Sequence, residues 1–231
     1  MSKEKARDDK GALIFAAVVV GLIFLAGFYL AFVVFPRQMQ ERRELEAVPT
    51  VSRGQLVQET LGEAVLVTGT LLDNPVIKGE DLVAYRSERW EVRYRDGENE
   101  GRWWGDEERW PRLRVAIEGG VVQTASGPPT ARSAMAHELL EPHADERVAD
   151  HEGTPLPHGS LRFLGVRNGD RVTLVGRVDR EATLKVDYFH AGTREQLLDS
   201  LLLNARMIQI FGLLLMAAAA VIGAVVVLKK R

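Results

Sequence analysis

Not one cysteine occurs among the 231 residues. That absence excludes disulfides, thiolate catalysis and cysteine-ligated zinc or iron–sulfur centres. It leaves the compartment open. Catalytic signatures are missing as well: there is no G-x-S-x-G elbow, no phosphate-cradling glycine loop and no dinucleotide fingerprint. Gly119-Gly120 reads as a turn, and Ser160 near His158 on a Pro/Gly loop is one local pair, not a triad. No catalytic residue and no cofactor is therefore assigned. Internal repeats are lacking too, and the one low-complexity run is 217–220.

Charge is absent from two long stretches, 11–35 and 207–228, whose only strongly polar side chain is Gln209. About 20 apolar residues suffice to cross roughly 30 Å of hydrocarbon as a helix. Both stretches meet that length, and the first is longer than the core of a secretory signal. The near-zero mean hydropathy of −0.08 hides this, because a polar middle offsets two apolar ends. No ionisable residue lies within either stretch, which argues against a pump or proton-coupled transporter. Residues 36–206 carry 29 acids against 23 Lys and Arg, a net −6. So acidic a domain argues against nucleic acid as a partner. The tails are cationic: Lys3, Lys5, Arg7 and Lys10 at one end, Lys229, Lys230 and Arg231 at the other. Short cation-rich tails stay in the cytoplasm. The expected arrangement is therefore an integral, multi-pass cell-membrane protein with cytoplasmic termini and an extracytoplasmic domain. Arg37, Arg42 and Arg43 pull the other way.

The expected organisation is a tail over 1–10, a first transmembrane helix over 11–35 and a helical stalk or linker over 36–60. A β-rich domain follows over 61–192, then an amphipathic helix over 193–206, a second span over 207–228 and a tail over 229–231. The fold class is α+β. Two transmembrane helices flank a mostly antiparallel, small barrel or sandwich. Pro36 marks the exit from the first span. Residues 64–72 read as a buried strand closed by Asp73-Asn74-Pro75. Residues 82–94 alternate, with Trp90, Val92 and Tyr94 on one face and Arg89, Glu91 and Arg93 on the other. After a turn at Asp96-Gly97, the charged run 97–108 reads as a long loop carrying Trp103-Trp104. Residues 112–124 read as a hairpin about Gly119-Gly120. Residues 126–160 are expected to be irregular, with a short helix near 131–140. Three further strands are expected at 161–166, 171–178 and 183–188. Thr193 and Gln196 fit a capping box, and the helix that they start runs without a breaker into the second span.

Three constellations bear on function. His137, His143, His151 and His158 lie within 22 residues, among several acids. Imidazole and carboxylate are ligands for zinc and similar ions, so these four are the metal candidates, and a metal-dependent hydrolase is an alternative function. Their spacing matches no ligand motif, and a solvated acidic loop explains them equally, so no metal is assigned. Trp103, Trp104, Arg102 and Arg109 form the second constellation, suited to contact with a partner or with lipid headgroups. The third is the small-xxx-small pairs Ala17/Gly21, Gly27/Ala31 and Ala219/Gly223, which let helix backbones approach closely. Expected partners are the bilayer, other membrane proteins, or a second copy through the spans.

Val67 to Pro75 (V-x-G-T-L and an N-P turn), Leu82 to Val92 (LVAYRSERWEV) and Asn168 to Val178 (NGDRVTLVGRV) sit between the two apolar stretches. Together they resemble the GIDE-type family, which includes prokaryotic two-span proteins and a mitochondrial ubiquitin ligase with a "beside a membrane" domain. The resemblance covers about residues 10–228 and implies a membrane-anchored domain of this type. In the ligase, activity resides in a cysteine-rich RING after the second span. This chain ends at Arg231 without cysteine, so ligase activity is not implied. The function expected is that of a non-enzymatic accessory or scaffold subunit that binds a partner.

Overall fold

The computed structural model of the protein describes residues 2–58, 62–132, 135–179 and 183–228. The chain forms two units, Met1–Ala47 with Leu198–Arg231, and Val48–Leu197. The described helices are α1 (Ser2–Tyr29), α2 (Phe35–Ala47), α3 (Arg53–Gln58) and α4 (Arg194–Leu228).

In the first unit, α1 runs into α2 through a π-helical turn, Leu30–Val34. The helix runs on through Pro36, the residue read as marking the exit from the first span. Proline has no N–H and crowds the carbonyl four residues back. Within the π-helical turn the Phe35 N–H reaches the Leu30 carbonyl, five residues back. This wider register ends where Pro36 begins, and the helix continues beyond it. Helix α1 meets α4 at two glycines. A Cβ on Gly27 would stand 2.6 Å from the Gly212 carbonyl oxygen, and one on Gly212 would stand 2.7 Å from that of Gly27. Ala31 and Ala219 are buried. The outward side chains are large and apolar: Phe15, Leu25, Leu214 and Val221 are all more than 60 % exposed. Two helices of this unit are long and apolar enough to cross a membrane.

The capping box at the start of α4 is present. The Gln196 amide N–H donates to the Thr193 hydroxyl, and the Thr193 N–H donates to the Gln196 side-chain oxygen at 2.8 Å. Arg194 to Leu228 is one unbroken helix.

The second unit is built from twelve strands among the described residues: β1 (Ala64–Leu71), β2 (Leu82–Arg95), β3 (Glu98–Arg109), β4 (Arg114–Ile117), β5 (Gly120–Thr124), β6 (Ala131–Arg132), β7 (His137–Glu141), β8 (Val148–His151), β9 (Thr154–Pro157), β10 (Leu161–Arg167), β11 (Arg171–Val178) and β12 (Thr183–Ala191). Strands β1, β4, β5, β12 and β11 pair in a ring, because β11 and β12 also pair with each other. The result is a closed five-stranded barrel. All its pairings are antiparallel except β12 with β5. A bulge at Val175/Gly176 interrupts the β11–β12 ladder, and such bulges bend and twist a sheet toward closure. Val65, Val67, Val115, Val122, Val172, Leu174, Leu184 and Phe189 fill the core. Closure leaves these strands no open edge.

Segment 48–58 belongs to this unit, not to a stalk. Val51 and Leu56 are part of the barrel core, and the Val51 N–H donates to the Leu66 carbonyl.

A second, antiparallel sheet has the order β3-β2-β10-β7. Val83 and Ala84 of β2 and Val166 of β10 join the barrel core, so this sheet is rooted in the barrel and extends from it. Among the described residues, strands β8 and β9 pair only with each other. Two expectations fail here. The run 97–108 is no loop: its larger part is strand β3, turned back from β2 at Asp96-Gly97. Both turn residues have positive φ, 50° and 96°, as a type I′ hairpin requires. The helix expected near 131–140 is absent from the described residues there, which form β6 and β7. His137, Leu139 and Glu141 are half-buried between the exposed Glu138 and Leu140, a period of two that suits a strand.

Candidate functional site

The β2–β3 hairpin carries the candidate site, and its register decides which residues meet. Trp90 stands opposite Trp103, Arg89 opposite Trp104, Glu91 opposite Arg102 and Arg93 opposite Glu100. Alternation then sends the adjacent Trp103 and Trp104 to opposite faces.

On the inner face, Trp103 packs against Trp90 with ring centroids 5.0 Å apart. Trp90, Val92, Ala149 and Leu156 form a small core separate from that of the barrel. Gly101 is needed there: a Cβ would fall 1.9 Å from the Trp90 ring. The Trp90 indole N–H donates to the Leu156 carbonyl at 3.0 Å. Trp103 is thus chiefly a packing residue.

The outer face holds Arg89, Glu91, Arg93, Arg102 and Trp104. Trp104 is 45 % exposed. The Arg102 guanidinium lies 4.7 Å from its ring centroid and that of Arg93 5.9 Å. Such cation–π contacts are worth about 0.5–1 kcal/mol at exposed sites. They hold a flat aromatic surface in place between two positive groups. Arg89 pairs with Asp106 at 3.1 Å and Arg93 with Glu91 at 3.0 Å. Tyr94, 75 % exposed, joins these residues around a shallow cleft of about 410 Å³. Sequence reasoning missed Arg93 as a neighbour of Trp104. The Asp96-Gly97 turn was the signal that would have placed them together.

Arg109 lies apart, at the far end of β3. It pairs with Glu107, which raises the already high pKa of the guanidinium. Glu107 also lies 3.4 Å from the Tyr85 hydroxyl. Burial, with Glu107 adding to it, pushes the Tyr85 phenol above its ordinary value.

The four histidines do not share a site. His137 meets Asp170 at 2.9 Å. His143 rests against Gly159. His151 accepts a hydrogen bond from the Trp103 indole N–H at 3.3 Å, and His158 accepts one from the Val92 amide at 3.0 Å. Among the described residues no three His, Asp or Glu side chains converge on a point that could hold a metal. The fifth histidine, His190, lies in β12, and burial lowers its pKa. Replacing His137 with alanine is expected to lower stability by about 1 kcal/mol, the worth of one part-buried hydrogen bond. Denaturant titration checks this. Elemental analysis of the same variant would reveal any ligand role through loss of a bound metal.

The chain matches no protein-family model, no curated protein and no solved structure.

Proposed function

We propose that this chain is a non-enzymatic, two-span membrane protein whose β-rich extracytoplasmic domain binds a protein partner through the Trp104 face. The role is that of an accessory or scaffold subunit in a membrane complex. The single observation that carries the reading is the exposed Arg93–Trp104–Arg102 stack. Trp and Arg are the residue types that dominate interface energies, and here their cation–π contacts limit the rotamer freedom that binding would otherwise cost. The membrane assignment rests on two helices long and apolar enough to span. It is supported by their exposed Phe15, Leu25, Leu214 and Val221: so large an apolar surface is poorly tolerated in water. The GIDE-type resemblance belongs to the same proposal.

The test is native purification in mild detergent, with identification of co-purifying chains. A specific partner is expected, and Trp104→Ala or Arg102→Ala should weaken its binding by at least about tenfold. Both side chains are exposed, so the fold should survive. A lone monomer, or binding unchanged by both substitutions, would overturn the reading. Retention on liposomes that the Trp104 variant loses would transfer the face to lipid. Orientation is tested separately. Glu146→Cys provides the only thiol, and it should be labelled from outside in intact cells.

A further inference from the structure

The hairpin β8–β9 lies over the inner Trp face as an independent flap. Among the described residues it pairs with no other strand, and its apolar contribution to the small core is Ala149 and Leu156. Units with few apolar contacts open locally, at less cost than global unfolding. Two imidazoles fasten it, beside hydrogen bonds from the Trp90 indole to the Leu156 carbonyl and from the Asn99 side-chain amide to the Val148 carbonyl that acid leaves in place. At Trp90, β2 still pairs with backbone: the Trp90 N–H donates to the Ser160 carbonyl and the Gly159 N–H to the Trp90 carbonyl. At Val92 the neighbouring chain has turned away, and the His158 Nδ1 takes the place of the missing carbonyl. The His151 Nε2 likewise accepts from the Trp103 indole.

A backbone amide and an indole N–H can only donate. Both rings must therefore present a lone pair, which fixes them as neutral: His158 protonated on Nε2 and His151 on Nδ1. A second proton would set N–H against N–H at both fastenings. The geometry points to an acid-released cover: protonation of His151 and His158 frees the β8–β9 hairpin and uncovers Trp90 and Trp103. The fastenings exist only with neutral rings, so acid opposes them.

The surrounding charges do not oppose this. Near His158, Asp145 is held well below the usual carboxylate range by side-chain and backbone hydrogen bonds from Arg147. It stays negative in mild acid and attracts an imidazolium. His143 rests on the adjoining Gly159. Around His151 the rings are Trp90 and Trp103. Arg162 stacks on Trp103 and is paired with Glu88. The hairpin's own Asp150 accepts from the Gly153 N–H. Tyr94, farther along β2, is exposed and lines the cleft around Trp104.

Hydrogen exchange on the full chain in lipid nanodiscs tests the proposal, with protection corrected for intrinsic rates at about pH 7.5 and about pH 5.5. Amides of Val148–Pro157 should lose at least about tenfold protection in acid, while those of β1 and β11 change far less. The local readout matters because buried His190 also makes the whole barrel less stable in acid. Glutamine accepts through its side-chain carbonyl at either pH. The double variant His151→Gln/His158→Gln should therefore abolish the hairpin's acid response, and His143→Gln should leave it intact. Equal hairpin protection at both pH values overturns the proposal, and so does an acid response that survives in the double variant. Should the double variant not fold, the wild-type comparison and the single His158→Gln variant, expected to weaken the response, decide it.

Discussion

Replacing Phe189 with alanine is expected to cost about 3–5 kcal/mol, the largest effect of any single core truncation in the barrel. Phe189 is among the largest fully buried side chains, with 1 % of its surface exposed. It stands on β12, the strand that closes the ring by pairing with both β11 and β5. Its ring meets that of Trp110 edge to face, with centroids 4.9 Å apart. Such a pair adds about 0.5–1.5 kcal/mol to the burial itself. A closed barrel cannot contract around the void, because its diameter is set by strand number and stagger. For a unit of this size, thermal unfolding followed by circular dichroism should show a midpoint lower by about 10 °C. Phe189→Leu should recover most of the loss. Tyr94→Ala, on an exposed side chain, should change stability by less than about 0.5 kcal/mol. A Phe189→Ala midpoint within two or three degrees of wild type would mean that the barrel core does not hold the domain together.

Much of this architecture was legible in the sequence because it is local. Buried strands such as β1, β11 and β12 are apolar runs between turn residues. The capping box at Thr193 and Gln196 announced α4, and the lack of a breaker announced its length. What escaped was non-local or two-faced. Closure depends on the parallel pairing of Thr183 and Leu184 with Gln123 and Thr124, and no short-range pattern encodes that. Strand β3 escaped because its residues are nearly all exposed. It shows no apolar period, and the long charged edge guards against pairing with other chains. That one misreading also blurred the candidate site. Arg102 does lie over the Trp104 ring, but Trp103, expected beside them, faces inward against Trp90. Helix α2 was legible as a polar helix, but its continuity with α1 was not. Pro36 is ordinarily a stop signal, and the preceding π-helical turn overrides it through backbone geometry alone.

Replacing Gly212 with leucine is expected to separate α1 from α4. The two backbones approach so closely at this crossing that even a methyl group on Gly212 would stand 2.7 Å from the Gly27 carbonyl oxygen and 2.8 Å from the Ala31 nitrogen. Those neighbours are backbone atoms and cannot rotate away, so the helices themselves must part. Small residues are what allow close contact, and in lipid the association depends on that packing, since the tails are as apolar as the side chains. The expected cost is about 3 kcal/mol or more, at the upper end of overpacking effects. Gly21→Leu is the control, since nothing lies within 4 Å of the space that a Cβ there would occupy. The absence of native cysteine makes the measurement direct. Val20 and Gly223 face each other, with a Cβ on Gly223 3.7 Å from Val20 Cγ1. Cysteines placed at both positions should therefore cross-link within one chain. Gly212→Leu should lower the yield severalfold and Gly21→Leu should not. Unchanged cross-linking in Gly212→Leu would sink the helix pair as drawn. The result also bears on assembly. Gly27, Ala31, Gly212 and Ala219 are used within the chain, and of the small-residue pairs read from the sequence, Ala17/Gly21 is the one left open at its glycine. If copies associate through these helices at small residues, Ala17 and Gly21 are the pair free to do it, and Gly21→Leu would disrupt that association while leaving the intramolecular cross-link intact.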